Sequence, residues 1–177
     1  GNSLGNTEKL SGLCAGGYLV MTTGMTIPNV GATLGTLSLA AVNQSIGEVQ
    51  AFNQSNGEEM ETTTVAIRPY STVTAGLLDQ LNAYRYIFFG KYAGYAGTYA
   101  NGDWSYCTQA SDYFRASRVR VMNKINRLAY IGLVPKLQSR IYLNANGTMT
   151  TLAVEQFKDA LEPSLNGMQT AGEFSGY

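Results

Sequence analysis

The stretch of residues 103–137 reads DWSYCTQASDYFRASRVRVMNKINRLAYIGLVPKL, and its pattern predicts a long helix behind an aromatic approach. Ser111 or Asp112 suits the N-cap position, because a short side-chain oxygen there accepts a backbone N–H that the first helical turn leaves unpaired. Pro135 disfavours helical geometry at the residue that precedes it. We therefore expect a helix over residues 112–134, with a length of about 34 Å from the α-helical rise.

The predicted helix has an apolar face and a basic face. Its apolar residues recur at intervals of three and four positions, which is the pattern of one buried stripe. They are Val121, Met122, Ile125, Leu128, Ala129 and Gly132. On the opposite side, Arg120, Lys124 and Arg127 fall within an arc of about 60°, and we call these three residues the basic stripe.

The basic stripe permits two interpretations. No acidic residue occurs between Asp112 and Glu155, so the cations of the stripe have no local i,i+4 partner. Arg115 and Arg118 add further positive charge upstream. A charged helix face is commonly just a solvated surface. The alternative is a docking surface for an acidic partner.

The composition of the chain restricts its class of function. A length of 177 residues is typical of one domain, and we expect it to bury about 70% of its unfolded surface around one core. The 12 basic and 12 acidic residues cancel, so no global field attracts nucleic acid or an anionic membrane. No apolar run reaches the length of a membrane span. Only 14% of residues are charged, which suits a surface that neighbouring subunits cover.

The residues that enzymes need are missing or isolated in this sequence. The chain has no histidine, which removes the commonest general base and the commonest zinc ligand. Asp79, Asp103 and Asp112 have no accompanying nucleophile, metal set or phosphate loop. Cys14 and Cys107 are far apart and belong to no CxxC pair, so we expect both thiols to be reduced. We predict no enzyme activity, no catalytic residue, no metal site and no cofactor.

Periodicity in the middle of the chain predicts an α/β fold. Residues 63–67 alternate and are β-branched, residues 74–83 have leucines at helical spacing, and residues 86–89 form an apolar run. The order of strand, helix and strand predicts a right-handed crossover and a parallel pair of strands. We therefore expect a mixed sheet with a strand-helix-strand unit, packed by several helices.

An earlier helix is predicted ahead of this unit. Pro28 occupies its first turn, where a missing N–H costs nothing. Val30, Leu34, Leu37 and Ala41 recur at helical spacing, so we expect them to form its buried stripe. Residues 53–61, with three glutamates and an Asn-Gly pair, predict an exposed turn.

The last predicted helix follows a turn at Asn146 and Gly147. Thr150 or Thr151 is its expected N-cap, and Pro163 is expected to kink or end it. The acidic side of this helix carries Glu155, Asp159 and Glu162. These carboxylates are expected partners for the basic stripe, either within one molecule or across a subunit boundary.

Residues 90–107 are rich in aromatic residues and glycine, and we predict a loop. The candidate rings are Tyr92, Tyr95, Tyr99 and Trp104. Flat rings cover the apolar faces of sugars, so a sugar-stacking platform is one interpretation. More commonly such rings pack on one another or form an interface, where Tyr and Trp contribute large areas at low entropy cost. We favour packing or interface formation.

Several segments of the chain resemble the sheath proteins of contractile tails, which occur in phages and related injection particles. The segments are FFGKY at 88–92, GTY at 97–99, NGDW at 101–104, SDYF at 111–114, LVPKL at 133–137, IYLNANGT at 141–148 and GEFSG at 172–176. Their order and spacing are similar to one divergent branch of that family. The likeness covers most of the chain beyond the first 30 residues or so.

The resemblance implies a structural protein. Many copies of such a subunit form a helical sheath around an inner tube, and a switch to a shorter, wider lattice drives the tube into a target. The implied partners are further copies of the chain and the inner tail tube protein, with no nucleic acid and no membrane. The implied location is a virion tail or contractile particle, such as one encoded by a prophage, assembled in the bacterial cytoplasm. The basic stripe is then the candidate contact with the tube or with an adjoining subunit.

The resemblance also bears on domain organisation. Sheath proteins interlock through terminal arms that add strands to a neighbour's sheet. This chain stops where such an arm begins, so we expect residues 1–177 to be a single sheath-like core domain, a fragment without the arms. The alternative function is a carbohydrate-binding or adhesive module that uses the aromatic loop of residues 92–106.

Overall fold

A computed structural model describes residues 13–14, 17–20, 25–54, 63–65, 68–107 and 110–176. The chain divides into two compact units, residues 1–119 and residues 120–177. Strands and helices are combined in the first unit, whereas helices dominate the second. The predicted mixed α/β class is confirmed. That residues 1–177 form a single domain stays a prediction.

Short strands and four α-helices make up the described part of the chain. The strands are β1 (Leu13–Cys14), β2 (Gly17–Val20), β3 (Met25–Pro28), β4 (Thr63–Val65), β5 (Arg68–Pro69), β6 (Tyr86–Ile87), β7 (Phe89–Tyr92) and β8 (Tyr95–Ala100). The helices are α1 (Val30–Leu39), α2 (Ala75–Ala83), α3 (Ala116–Leu133) and α4 (Thr151–Thr170). Among these strands, one antiparallel sheet has the order β3-β2-β4-β5, β1 pairs with β6, and β7 forms a hairpin with β8.

The predicted parallel pairing of residues 63–67 with residues 86–89 is wrong. Strand, helix and strand do follow one another as β4, α2 and β6. However, β4 lies between β2 and β5, so both of its edges are already hydrogen-bonded in antiparallel ladders. The parallel partner of β6 is β1, with Leu13 opposite Tyr86. Residues 66–67 of the predicted strand, and residues 55–61 of the predicted turn, lie outside the described residues.

The expected buried stripe of α1 is only partly correct. Val30 and Leu34 are 47% and 61% exposed, whereas Thr33 and Thr36 are buried. Each threonine hydroxyl donates to the main-chain oxygen four residues earlier, at 2.9 and 2.7 Å. Because these bonds satisfy the hydroxyls within the helix, threonine can occupy the buried face at little cost. Of the predicted stripe, Val30, Leu34 and Ala41 are therefore exposed, and only Leu37 packs against the core.

The core of the first unit surrounds β6 and the hairpin of β7 and β8. Its buried members are Ala40, Ile46, Ile87, Phe89 and Ala100. The main-chain N–H of Phe88 donates to the Asn101 side-chain oxygen at 3.0 Å, and the N–H of Asn101 donates to the Phe88 oxygen at 3.0 Å. This pair of bonds fixes the end of β8 against the junction of β6 and β7. The segment that follows β8 remains buried, and Trp104 packs against the core.

Helix ends in the second unit follow the sequence prediction. The α-helix α3 ends at Leu133 and continues as a single 3-10 turn over Val134–Lys136, so Pro135 ends it as predicted. Thr150 is the N-cap of α4, and its hydroxyl accepts from the N–H of Ala153 at 3.3 Å. Both predictions rest on local steric and hydrogen-bonding rules, which explains their success.

The segment between α3 and α4 forms the predicted turn at residues 146–147. Gly147 has a φ of +81° and donates its N–H to the Asn144 oxygen at 2.9 Å. Helix α4 then continues beyond Pro163 to Thr170, so the proline does not end it. Pro163 is exposed. Water can therefore bond the carbonyl four residues earlier, which the proline leaves without its N–H donor.

Two helices of the second unit approach closely at Gly132. A Cβ atom added to Gly132 would lie 2.8 Å from the main-chain oxygen of Ala160 in α4. Real Cβ atoms do not come this close to backbone, so the crossing of α3 and α4 requires glycine here. Gly132 belongs to the predicted apolar stripe, in which Val121, Ile125, Leu128 and Ala129 are also half-buried.

Candidate functional site

A buried carboxylate organises the segment between β8 and α3. Asp103 is fully buried, and its two oxygens accept hydrogen bonds from Ser45, Arg115 and Ser117. The distances are 2.9 Å from the Ser45 hydroxyl, 2.9 Å from the Arg115 guanidinium, and 3.0 and 2.6 Å from the N–H and hydroxyl of Ser117. A carboxylate that is buried away from water needs hydrogen-bond donors from the protein, and Asp103 receives four such bonds.

Asp103 also determines where α3 begins. Its main-chain oxygen accepts from the N–H of Ala116 at 2.6 Å, and its carboxylate accepts from the N–H of Ser117. These are N–H groups that a first helical turn leaves unpaired. The predicted start of the helix at residue 112, with Ser111 or Asp112 as N-cap, is therefore wrong. Ser111 instead accepts from the N–H of Tyr113 at 3.2 Å, in a turn before the helix.

Two aromatic rings and three arginines form a cluster beside Asp103. Trp104 stacks on Phe114 with ring centroids 6.3 Å apart and an angle of 27° between the planes. Trp104 and Arg115 form an isolated antiparallel bridge, which holds the two segments side by side. The members are Arg85, Trp104, Phe114, Arg115 and Arg118, and we call them the arginine-aromatic cluster.

All three guanidinium groups of the cluster lie over the rings. The guanidinium carbon of Arg85 is 5.1 Å from the Trp104 centroid and 5.2 Å from that of Phe114. The corresponding distances for Arg115 are 4.8 and 5.6 Å. Arg118 lies 4.6 Å from the Phe114 centroid. The rings attract the cations through their negative faces.

Arg85 has a backbone conformation that disfavours a side chain. Its φ is +65°, directly after Tyr84, the residue that caps the C-terminus of α2. Glycine usually occupies this left-handed position, because a Cβ atom costs about 1 kcal/mol there. The contacts of the Arg85 side chain with both rings of the cluster offset part of this strain.

The basic stripe is not uniform in the structure. Lys124 forms an ion pair with Glu173, with its ammonium 2.5 and 2.7 Å from the two carboxylate oxygens. Arg120 is half-buried, whereas Arg127 is exposed. The sequence lacked a local partner for Lys124, but the fold of the second unit supplies one 49 residues later. That the stripe contacts a tube or another subunit stays a prediction.

The acidic side of α4 is solvent-exposed. Glu155, Asp159 and Glu162 all lie on the surface, and we call them the acidic face. Lys158 bonds to Glu155 at 3.0 Å, and this hydrogen bond raises the pKa of the lysine. The acidic face therefore carries one compensating cation among three carboxylates.

The structure separates the four predicted aromatic residues into two groups. Tyr92 and Tyr95 both contact Tyr99 on the hairpin of β7 and β8. The ring centroid of Tyr99 is 5.9 Å from that of Tyr92 and 5.8 Å from that of Tyr95. Tyr99 is buried and donates its hydroxyl to the Ala96 oxygen at 2.7 Å, whereas Tyr92 and Tyr95 are half exposed. Trp104 belongs to the arginine-aromatic cluster. The predicted loop is thus a hairpin of three packed tyrosines followed by a separate aromatic pair.

A cleft of about 220 Å³ opens beside Tyr92. It is lined by Tyr70, Leu78, Asp79, Asn82, Phe88, Gly90, Lys91, Tyr92, Tyr99 and Asn101. The Asn101 amide is already bonded to the Asn82 side chain at 3.2 Å and the Tyr86 oxygen at 3.0 Å. The polar groups of the cleft are therefore partly used by the fold itself.

The described residues contain no group of three or more His, Cys, Asp or Glu side chains placed to hold a metal ion. None of the helices in the described ranges has the length and apolar character of a membrane span. Cys14 and Cys107 are free cysteines. Asp79 and Asp112 are exposed, and Asp103 is occupied as a helix cap.

Sequence reasoning missed Arg85 and Phe114 as members of a site. Arg115 and Arg118 stand at i,i+3 spacing before the basic stripe, which is a visible signal. Arg85 is 30 or so residues away and enters the cluster through the turn after α2, a long-range contact that no local pattern predicts.

Comparison with solved structures gives one informative match. The fold is similar to a chain of the anti-feeding prophage baseplate, solved by cryo-electron microscopy with 6-fold symmetry, with a TM-score of 0.61 and 13% sequence identity. The similarity covers 92% of this chain, which spans 40% of the length of the baseplate chain. No curated protein matches the sequence.

Comparison with protein families gives two adjacent matches. The model described as DUF2586, N-terminal domain, matches residues 12–103, and the model described as DUF2586, C-terminal domain, matches residues 112–177. Residues 104–111, in the segment between Asp103 and α3, separate the two matches. Together they cover almost the whole sequence, and this chain belongs to the DUF2586 family.

Proposed function

We propose that this chain is a structural subunit of a contractile sheath, in which many copies polymerise helically around an inner tube and contract to drive it into a target. The observation that carries the proposal is the fold similarity to a prophage baseplate chain over 92% of this sequence. The resemblance of the FFGKY, NGDW and IYLNANGT segments to sheath proteins supports it independently.

The surface of the second unit suits a subunit with neighbours. Large apolar side chains are exposed on both sides of the turn at residues 146–147 and at the end of α3. They are Tyr130, Ile131, Leu137, Ile141, Tyr142, Leu143 and Leu152. Free monomers rarely expose so many large apolar groups within one short region, whereas interfaces are enriched in tyrosine and aliphatic residues. Repeated interfaces of modest size are also what a lattice needs if it is to exchange contacts during contraction.

The basic stripe is the proposed contact with an acidic strip on the tube or on an adjoining subunit. The test is charge reversal in the complete protein, followed by electron microscopy of the particles. Reversal of Lys124 alone would break the ion pair with Glu173, so the variant combines R120E and R127E with the exchange K124E/E173K. The matched control is R68E, which changes an exposed arginine of β5. We expect bare tubes for the combined variant, and normal sheaths on normal tubes would remove the proposed role.

The cleft beside Tyr92 favours one second candidate, a carbohydrate-binding or adhesive module. Tyr92 and Tyr95 have exposed ring surface that a sugar ring can cover, and Asp79 and Lys91 add polar groups at the cleft. Glycan-array binding that disappears in Y92A/Y95A but persists in W104A would support this function. No glycan binding by the wild-type chain would exclude it in favour of the sheath subunit.

A further inference from the structure

We propose that the arginine-aromatic cluster of one copy binds the acidic face of α4 in a second copy. The inference rests on the proposed function, because only an assembly of many copies presents these two surfaces to each other repeatedly. It concerns a different surface from the basic stripe, and it names the residues of both partners.

The cluster holds like charges together without enough counter-charge. The guanidinium carbons of Arg85, Arg115 and Arg118 lie 5.2, 5.6 and 4.6 Å from the centroid of one ring, Phe114. Among the described residues, Asp103 is the carboxylate that pairs with one of them, and it is fully buried beneath Arg115. Cations gathered around one ring repel one another, so an external anion would stabilise the arrangement.

The guanidinium groups are also prepared for a carboxylate partner. Arg118 is exposed, and the side chain of Arg115 retains 37% of its surface exposure above Asp103. Contact with the Trp104 and Phe114 rings restricts the positions of the guanidinium groups, so less side-chain entropy is lost when a carboxylate binds. Arg85 is kept at a left-handed backbone position where glycine would be less strained.

The acidic face matches the cluster in charge and extent. Glu155, Asp159 and Glu162 stand at intervals of four and three residues, which places them on one side of α4 over a length of about 10 Å. Each of the three guanidinium carbons lies within 5.6 Å of the Phe114 centroid, so their mutual distances are no greater than about the length of the acidic face. Lys158 offsets one carboxylate of the face, as Asp103 offsets one arginine of the cluster. Each surface therefore retains an excess of charge that the other neutralises.

The test uses two neutralised variants of the whole chain and their mixture. The first, R85Q/R118Q, weakens the cluster while leaving the bond between Arg115 and Asp103 in place. The second, E155Q/D159N/E162Q, removes the charge of the acidic face. Self-association of each protein is followed by sedimentation velocity at about 100 μM, a concentration suited to weak interfaces. We expect wild type to form open chains that dissociate at high salt, and each variant to associate at least about tenfold more weakly.

The equimolar mixture is the decisive arm. One variant keeps its cluster and the other keeps its acidic face, so we expect a one-to-one complex that does not grow further. The control R68Q/R140Q removes two exposed arginines elsewhere and should associate like wild type. A mixture that stays monomeric, or variants that associate as strongly as wild type, would overturn the proposal. Circular dichroism and thermal melting of each variant verify that it is folded.

The same variants separate this inference from the proposed function. In the complete protein, R85Q/R118Q should leave the chain expressed while the number of assembled sheaths falls. Normal sheath assembly by this variant would overturn the inference and leave the sheath function intact. Conversely, a chain that never appears in purified particles would contradict the sheath function, even if the variants form the one-to-one complex in solution.

Discussion

The carboxylate of Asp103 accepts a hydrogen bond from the backbone N–H of Ser117 at 3.0 Å, across 14 residues of sequence. This bond caps α3, the helix that leaves the first unit and carries the basic stripe. The same carboxylate holds the Arg115 guanidinium over two aromatic rings. One buried group thus fixes both the start of the helix and the shape of the arginine-aromatic cluster.

We expect D103N to destabilise the protein by about 3 kcal/mol. The new amide group would place its own N–H donors against donors of Arg115 or Ser117, and Arg115 would lose its carboxylate partner. Urea unfolding followed by the fluorescence of Trp104, the single tryptophan, measures the change. The control is D79N, at an exposed aspartate, which should shift the free energy of unfolding by less than about 0.5 kcal/mol. Equal unfolding midpoints for D103N and wild type would show that Asp103 is not the organising cap.

How far the sequence predicted these features depends on the range of each interaction. The cap at Thr150, the turn at Gly147 and the helix end before Pro135 involve neighbours within a few residues, and all three were predicted. The start of α3 was misplaced, because Ser111 is a locally plausible cap and the true cap, Asp103, lies further upstream.

Long-range pairing was the part that the sequence could not supply. The parallel partner of β6 is β1, more than 70 residues earlier, and no periodicity distinguishes that strand from β4. In α1 the hydrophobic pattern was misleading, because Thr33 and Thr36 bond to their own helix and occupy the buried face. For the same reason the sequence indicates only part of the arginine-aromatic cluster. Arg115 and Arg118 are neighbours in sequence, whereas Arg85 joins the cluster from a distant turn.

We expect G132A to destabilise the second unit by about 2 kcal/mol, because its added methyl group would lie 2.8 Å from the Ala160 main-chain oxygen. Circular dichroism during urea unfolding measures the loss of helix. The matched control is G167A in α4, where an added Cβ meets nothing within 4 Å. This second change should stabilise the protein by about 0.5–1 kcal/mol through helix propensity. The same effect for both substitutions would contradict the close crossing of α3 and α4.

We expect E173Q to cost about 1–2 kcal/mol, because the partly buried Lys124 ammonium then loses a two-oxygen ion pair. The comparison is E155Q, which breaks the exposed pair with Lys158 and should cost less than about 0.5 kcal/mol. A double-mutant cycle with K124M isolates the coupling energy of the first pair. A coupling energy near zero would show that the ion pair does not stabilise the second unit.

We expect stability to fall at alkaline pH partly through Cys14. Burial raises the pKa of this thiol, and the hydrogen bond to Thr33, with sulfur and oxygen 3.6 Å apart, lowers it by less. The folded protein therefore holds the thiol proton more tightly than the unfolded chain does. The resulting stabilisation is fully present below the unfolded thiol pKa of about 8.5, and it is lost as pH rises through the folded pKa.

The variant C14A tests this pH dependence. Its free energy of unfolding should decline less steeply than that of wild type between about pH 8 and pH 10, because the alanine does not titrate. Urea titrations at several pH values compare the two slopes. Parallel slopes would show that the folded and unfolded thiols bind protons equally.

Cryo-electron microscopy of intact particles purified from the native host tests the sheath function most directly. If the chain is a sheath subunit, its fold, with α3 and α4 crossing at Gly132, will fit repeated density in every layer along the tube. Quantitative mass spectrometry of the same particles should then give many copies per tube. Density for this fold in a single ring at the baseplate, or its absence from the particles, would contradict the account.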